Sequence, residues 1–186
     1  MSVEPLQQAI QSTWAILVQV DPKDLDRSTP CQSWKIADLV NHIVGGQFFF
    51  ATAARGEAPS GEQKDYSGGD IVGEFDKGAA ASVASFSQDG VMERTLHLPF
   101  GDMPGSVFVG LAATDTFVHG WDLAKALGQP TDLEPGLAAA LLAQMQPFLP
   151  PDIRGEDGKA PFGPEQPAPD GASNADRLAA FLGRKV

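Results

Sequence analysis

In Asp115-Thr-Phe-Val-His-Gly-Trp-Asp-Leu-Ala124 an acid and a histidine stand four residues apart inside an apolar run. On an α-helix residues four apart lie on one face, so Asp115 and His119 converge on a single point. The run extends both ways at helical spacing. Phe108, Leu111, Asp115, Val118 or His119, Asp122 and Ala126 trace one side, from a start near Ser106 to a stop signal at Gly128. The acid–histidine pair therefore sits among apolar positions and not on a solvated face.

A second helix is predicted in Trp34-Lys-Ile-Ala-Asp-Leu-Val-Asn-His42-Ile-Val-Gly-Gly46, with Ser33 as its N-cap. Its apolar face is Ile36, Leu39, Val40, Ile43 and Val44, continuing to Phe48 to Phe50, and His42 borders that face. A nitrogen donor from this helix, added to Asp115 and His119, makes a three-ligand divalent-metal site with open positions, as catalytic zinc sites do. Two plainer readings stand beside it. A histidine beside an apolar face is commonly a satisfied core residue, and Asp followed by His at i+4 supports a helix by about 0.2–0.5 kcal/mol without any metal. Spacing alone leaves these open.

The remaining elements are also helical. Pro5 suits a first turn, and Leu6, Ile10, Trp14 (or Thr13), Leu17 and Val18 recur until Asp21-Pro22 ends the run. Residues 55 to 69 read as a surface loop, after which Asp70 caps a helix carrying Ile71, Val72, Phe75, Ala79, Val83 and Phe86. Val91 to Leu98 alternates loosely as a short strand and leads to a turn from Pro99 to Gly105. Leu137 to Met145 and Asn174 to Leu182 are short final helices, separated by an irregular proline-rich stretch from Pro150 to Ala172. The expected fold is mainly α: an antiparallel four-helix bundle with short additional C-terminal helices, in one domain spanning residues 1–186. Bundle cores commonly host metal sites built from facing helices.

Composition excludes several classes. The chain has 186 residues, 42% apolar and 8% aromatic, enough for a packed core without staples. A formal net charge of −11, with no lysine–arginine run, argues against nucleic acid and against anionic membranes as partners. No stretch approaches the ~20 apolar residues of a membrane span. The single cysteine and the lack of a charged-then-apolar leader give the expectation of a cytoplasmic protein. Cys31 is expected to pack as a small hydrophobe, His97 to be exposed on its strand, and Asp122 to form a salt bridge to a loop arginine rather than to orient an imidazole. No phosphate-cradling loop and no serine elbow is present.

The segments quoted resemble a known family. Thr29 to Gly46, and Asp115 to Ala124, resemble the second- and fourth-helix signatures of the DinB/YfiT-like metal-binding bundles. They are closest to the branch containing the N-terminal domain of mycothiol-dependent maleylpyruvate isomerase. Pro161-Phe-Gly-Pro-Glu-Gln-Pro and Arg177-Leu-Ala-Ala-Phe-Leu-Gly-Arg184 resemble the tail of its stand-alone members. The resemblance implies a DinB-like bundle binding zinc or nickel through His42, Asp115 and His119, with mycothiol as cosubstrate of a transferase or isomerase acting on a small molecule. Two departures matter: the characterised isomerase has glutamate where this chain has Asp115, and residues 130 to 186 are too few for its second domain. A metal-dependent hydrolase and a non-catalytic metal- or small-molecule-binding bundle, closed by His97 or Cys31, are the alternatives. Apolar residues at Phe48 to Phe50 are expected to be exposed and to offer a surface for a homodimer.

Overall fold

The computed structural model describes residues 2–58, 64–150, 153–156, 159–160 and 162–186. Four long helices form the body: α1 (Glu4–Leu17), α2 (Ile36–Ala54), α3 (Ile71–Phe86) and α4 (Gly105–Leu127). A hairpin of β1 (Thr95–Leu98) and β2 (Gly101–Pro104) precedes α4, and α5 (Pro135–Met145) and α6 (Asn174–Phe181) close the chain. The class is mainly α, as composition and periodicity predict.

The helix ends follow local chemistry. Asp70 accepts a hydrogen bond from the Gly73 N–H at 3.0 Å, capping α3. Gly128 ends α4 at φ 73°, the left-handed conformation that glycine adopts at no steric cost. The start of α2 corrects the expected Ser33 cap. The helix begins at Ile36, and the Asp38 carboxylate accepts from the Lys35 backbone N–H at 2.9 Å, so the satisfied donor lies two residues further along. In α1 it is Thr13 that turns inward and is fully buried, its hydroxyl donating to the Thr116 carbonyl at 2.8 Å, while Trp14 is 41% exposed. The expected turn after β1 is in fact a second strand: Leu96 pairs with Met103 and Leu98 with Gly101 in antiparallel register.

The bundle is not antiparallel throughout. One buried cluster joins the start of α1 (Leu6, Ala9), the ends of α2 (Phe50, Ala54) and α3 (Phe86), and the first half of α4 (Phe108, Ala112). The other joins the end of α1 (Ile16, Leu17), the starts of α2 (Ile36, Leu39) and α3 (Phe75, Ala79), and the end of α4 (Leu123, Ala124). So α1 and α4 run one way, and α2 and α3 together run the other. The cause is the long connection between α2 and α3. A helix of 19 residues is about 28 Å long, and 16 connecting residues can extend over about 50 Å, enough to return the chain to where α2 began. The Asn41 side-chain carbonyl holds the returning strand by accepting from the Tyr66 and Ser67 N–H groups at 2.6 and 3.0 Å. The centre of the predicted surface loop (residues 59–63) and residues 151–152, 157–158 and 161 of the proline-rich stretch lie outside the described residues.

Candidate metal centre

Because α2 and α4 run in opposite directions, side chains near the start of α2 meet those in the second half of α4. His42 Nε2 lies 3.3 Å from Asp115 Oδ1, and His119 Nε2 lies 3.6 Å from the same oxygen. One ligand atom from each of the three residues falls within 4.8 Å of the others. The three side chains singled out from spacing are therefore brought together. Ligands about 2.0–2.1 Å from one tetrahedral ion stand about 3.3 Å apart, so these separations suit a shared cation. The aspartate is long enough to reach both imidazoles in spite of its missing methylene.

The tautomer of His119 strengthens the fit. Its Nδ1 is 3.0 Å from Asp122 Oδ2, and Asp122 is fully buried. With Nδ1–H donated to that carboxylate, the Nε2 lone pair is directed at Asp115 and His42, the arrangement found behind metal-binding histidines. Asp122 also binds Arg184, whose Nη2 is 3.0 Å from Oδ2 and whose Nε is 3.3 Å from Oδ1. The expected salt bridge to an arginine is present, and the same carboxylate also orients the imidazole, so one group does both. The arginine comes from beyond α6, 62 residues away, and no spacing in the sequence links them.

Electrostatics follow from this packing. Burial works against both carboxylates. The two histidines nonetheless hold Asp115 at about 2, and Arg184 with His119 holds Asp122 at about 2. Burial keeps His119 below its ordinary value, against the pull of Asp115. Burial also opposes charge on His42, but the Asp115 carboxylate outweighs it and leaves that imidazole above its ordinary value. Burial disfavours the Arg184 cation, and Asp122 more than restores it. The Trp34 ring packs at a tilt against both imidazoles, 4.8 Å from His42 and 5.5 Å from His119 between centroids. Trp34 was not among the residues that spacing singled out as site-forming.

The other candidates fall elsewhere. His97 is on β1 with a side chain 81% exposed, paired with Asp102 at 3.0 Å. Cys31 does not pack as a simple hydrophobe. Its Sγ is 3.4 Å from Asp122 Oδ2 and 3.7 Å from Arg184 Nη2. It therefore groups with His119 and Asp122 and not with His42 and Asp115. Phe48 to Phe50 are not the exposed patch that was expected. Phe50 is buried, and Phe49 packs against Phe100 and Phe108 at 6.3 and 6.2 Å, where helix pairing turns it toward a cleft.

That cleft, about 2150 Å³, opens above the His–Asp cluster and is lined by Trp34, His42, Gly46, Phe49, Phe100 and Asp115 among others. Among the described residues no helix is long and apolar enough to cross a membrane. Residues 6–124 match the sequence model of the mycothiol maleylpyruvate isomerase N-terminal domain. Two uncharacterised proteins of Mycobacterium tuberculosis, from two strains, are each 42% identical to this chain over 180 residues, covering 97% of it and 96% of the relative. No solved structure matches.

Proposed function

The chain belongs to the family of the mycothiol maleylpyruvate isomerase N-terminal domain, and from that premise we propose that it binds one divalent metal ion, zinc or nickel, through His42, Asp115 and His119. We further propose that it activates the thiol of mycothiol there for transfer to, or isomerisation of, a small molecule. The observation that carries the reading is the convergence of His42 Nε2 and His119 Nε2 on Asp115 Oδ1, with His119 Nδ1 already committed to Asp122.

The residues divide the work. Asp115, ionised well below neutral pH, supplies the single negative charge of the ligand set. Neutral His119 and His42 supply the nitrogen lone pairs. A divalent ion held by that set keeps a net positive charge and so favours a thiolate over a thiol near neutral pH. Asp122 fixes the His119 ring, and Arg184 holds Asp122 in place and ionised. Trp34 packs against both imidazoles and holds their rings in place, while His42 and Asp115 stay partly exposed toward the cleft. The cleft gives the thiol and a second molecule room to meet. The placement of Cys31 and His97 outside the cluster favours an open site over one closed by a fourth protein ligand.

Metal content measured by inductively coupled plasma mass spectrometry on untagged protein tests the reading. About one metal per chain is expected. It should be lost in His42→Ala and His119→Ala with helicity unchanged, and mycothiol added to the loaded protein should bind and release a proton. Protein that takes up neither zinc nor nickel, or loaded protein that leaves the thiol protonated, would overturn it.

A further inference from the structure

The cleft has a second end that the metal chemistry does not use. From His42 to Phe49 on α2, and from Asp115 back to Phe108 on α4, each helix advances seven residues, or about 10 Å. Because the helices are antiparallel, both paths lead the same way, from the His–Asp cluster to a group of phenylalanines. Phe49 meets Phe108 edge-on at 6.2 Å and Phe100 at 6.3 Å. Between the two ends the α2 wall is Gly46, and the α4 wall is Leu111, one turn from Asp115. A Cβ at Gly46 would make only ordinary contacts, 3.6 Å to Phe50 and 3.8 Å to Asp115 Oδ2. The missing side chain is therefore not forced by a close backbone approach, and Gly46 leaves the cleft wall recessed by about one methyl group.

Phe100 gives this end its character. It stands at the tip of the β1–β2 hairpin, is 58% exposed, and still leans on Phe49 across the cleft. A hairpin of four-residue strands has no packing need for a phenylalanine at its tip, where a polar turn residue would be solvated at no cost. Aromatic edges and faces arranged in this way recognise flat apolar rings by offset stacking and edge-to-face contact. Phe49, Leu111 and Phe100 form a hydrocarbon wall, so the ring they accept is uncharged.

We propose that this trough is a binding subsite for a planar, uncharged aromatic or conjugated ring, resting against the paired rings of Phe49 and Phe100 with its long axis along the groove past Gly46. Taking that ring as part of the electrophile attacked at the His–Asp end rests on the thiol-transfer reading above. The subsite itself does not, because its hydrocarbon wall of Phe49, Phe100 and Leu111 holds no metal-binding side chain, and Asp115 borders it only beside Gly46.

The test uses N-phenylnaphthylamine, a neutral fluorophore with a planar naphthalene ring, titrated into full-length protein with a strong chelator present, so that neither metal nor thiol takes part. Enhanced, blue-shifted emission is expected for the wild type. Phe100→Ser and Gly46→Leu should each weaken binding about tenfold, whereas Trp14→Ser, at an exposed aromatic on α1, should leave it unchanged. Leucine is a better helix former than glycine, so lost binding in Gly46→Leu with full helicity reflects a filled trough and not an unfolded one. No binding to the wild type, or equal binding by wild type, Phe100→Ser and Gly46→Leu, would overturn the subsite. Probe binding as expected here, together with a failure to take up zinc or nickel in the metal-content measurement, would overturn the metal reading while leaving the subsite intact.

Discussion

Asp122 joins two halves of the structure through one carboxylate, accepting from the His119 imidazole and from Arg184 while fully buried. Replacing one partner of a buried ion pair strands the other in a low-dielectric site. Asp122→Asn should therefore lower stability by about 3–5 kcal/mol, read as a shift of the denaturation midpoint at unchanged slope. Metal affinity should also fall, by about 10–100-fold in chelator competition, because His119 loses the charge that fixes its tautomer. Arg184→Met should reproduce part of both losses although it touches no ligand, which a merely local role for the tail would not give. Acid should act on the same groups. In the metal-free protein Asp115 and Asp122 sit at about 2 against an ordinary 3.8, so their contribution is complete above pH 3.8 and is lost as pH falls toward 2. His119 lies below 6.5, so the unfolded chain takes up that proton first, and stability also falls on acidification. His42 lies above 6.5 and carries the opposite sign, favouring the fold at low pH. Three groups outweigh one, so the urea midpoint at about pH 3 should be well below that at about pH 7, with a smaller difference in Asp122→Asn.

At the scale of elements, α1 and α4 are held by a close approach. A Cβ on Gly120 would stand 2.4 Å from Thr13 Oγ1 and 3.2 Å from the Thr13 Cα. Backbone is part of that obstacle, so α1 and α4 would have to separate. Gly120→Ala should cost about 1–3 kcal/mol through overpacking. Because it shifts the turn that bears His119, metal binding should weaken as well. Gly136→Ala on α5 is the matched control. Nothing lies within 4 Å of its Cβ position, and alanine there should stabilise by up to about 1 kcal/mol through helix propensity. Equal midpoints for the two variants would show that α1 and α4 have room to spare. The helix spans themselves were legible in the sequence, since apolar periodicity, the Asp70 cap and the Gly128 stop are local signals. The β1–β2 hairpin was half legible: a strand ending at Leu98 could be read, but β2 is the unpatterned run Gly-Asp-Met-Pro, made a strand only by its partner.

Across the whole molecule, the C-terminal segment belongs to the site as much as the bundle does. α6 covers α4, the Trp121 indole N–H donates to Asp176 at 2.9 Å, and the following turn delivers Arg184 to Asp122. The family match ends at residue 124, before α6 and Arg184. The direction of the helices is likewise a property of the whole chain. Residues 55–70 are long enough to carry the chain back the length of α2, and so place α2 and α3 side by side in the same direction.

The sequence by itself determined which segments are helices, where most of them start and stop, and that Asp115 and His119 share a face, because those are consequences of periodicity and capping within a few residues. The place of His42 beside an apolar helix face marked it as the candidate third donor, and the signature around it pointed to the family. What only the tertiary structure decided is that α2 and α3 run parallel, that His42 reaches Asp115, that Arg184 secures Asp122, and that Phe49 and Phe100 wall one end of the cleft. Each depends on residues brought together across long stretches of chain. A spacing of 73 residues between His42 and Asp115, or 62 between Asp122 and Arg184, carries no periodic signal; only the packing of the two buried clusters gives it meaning.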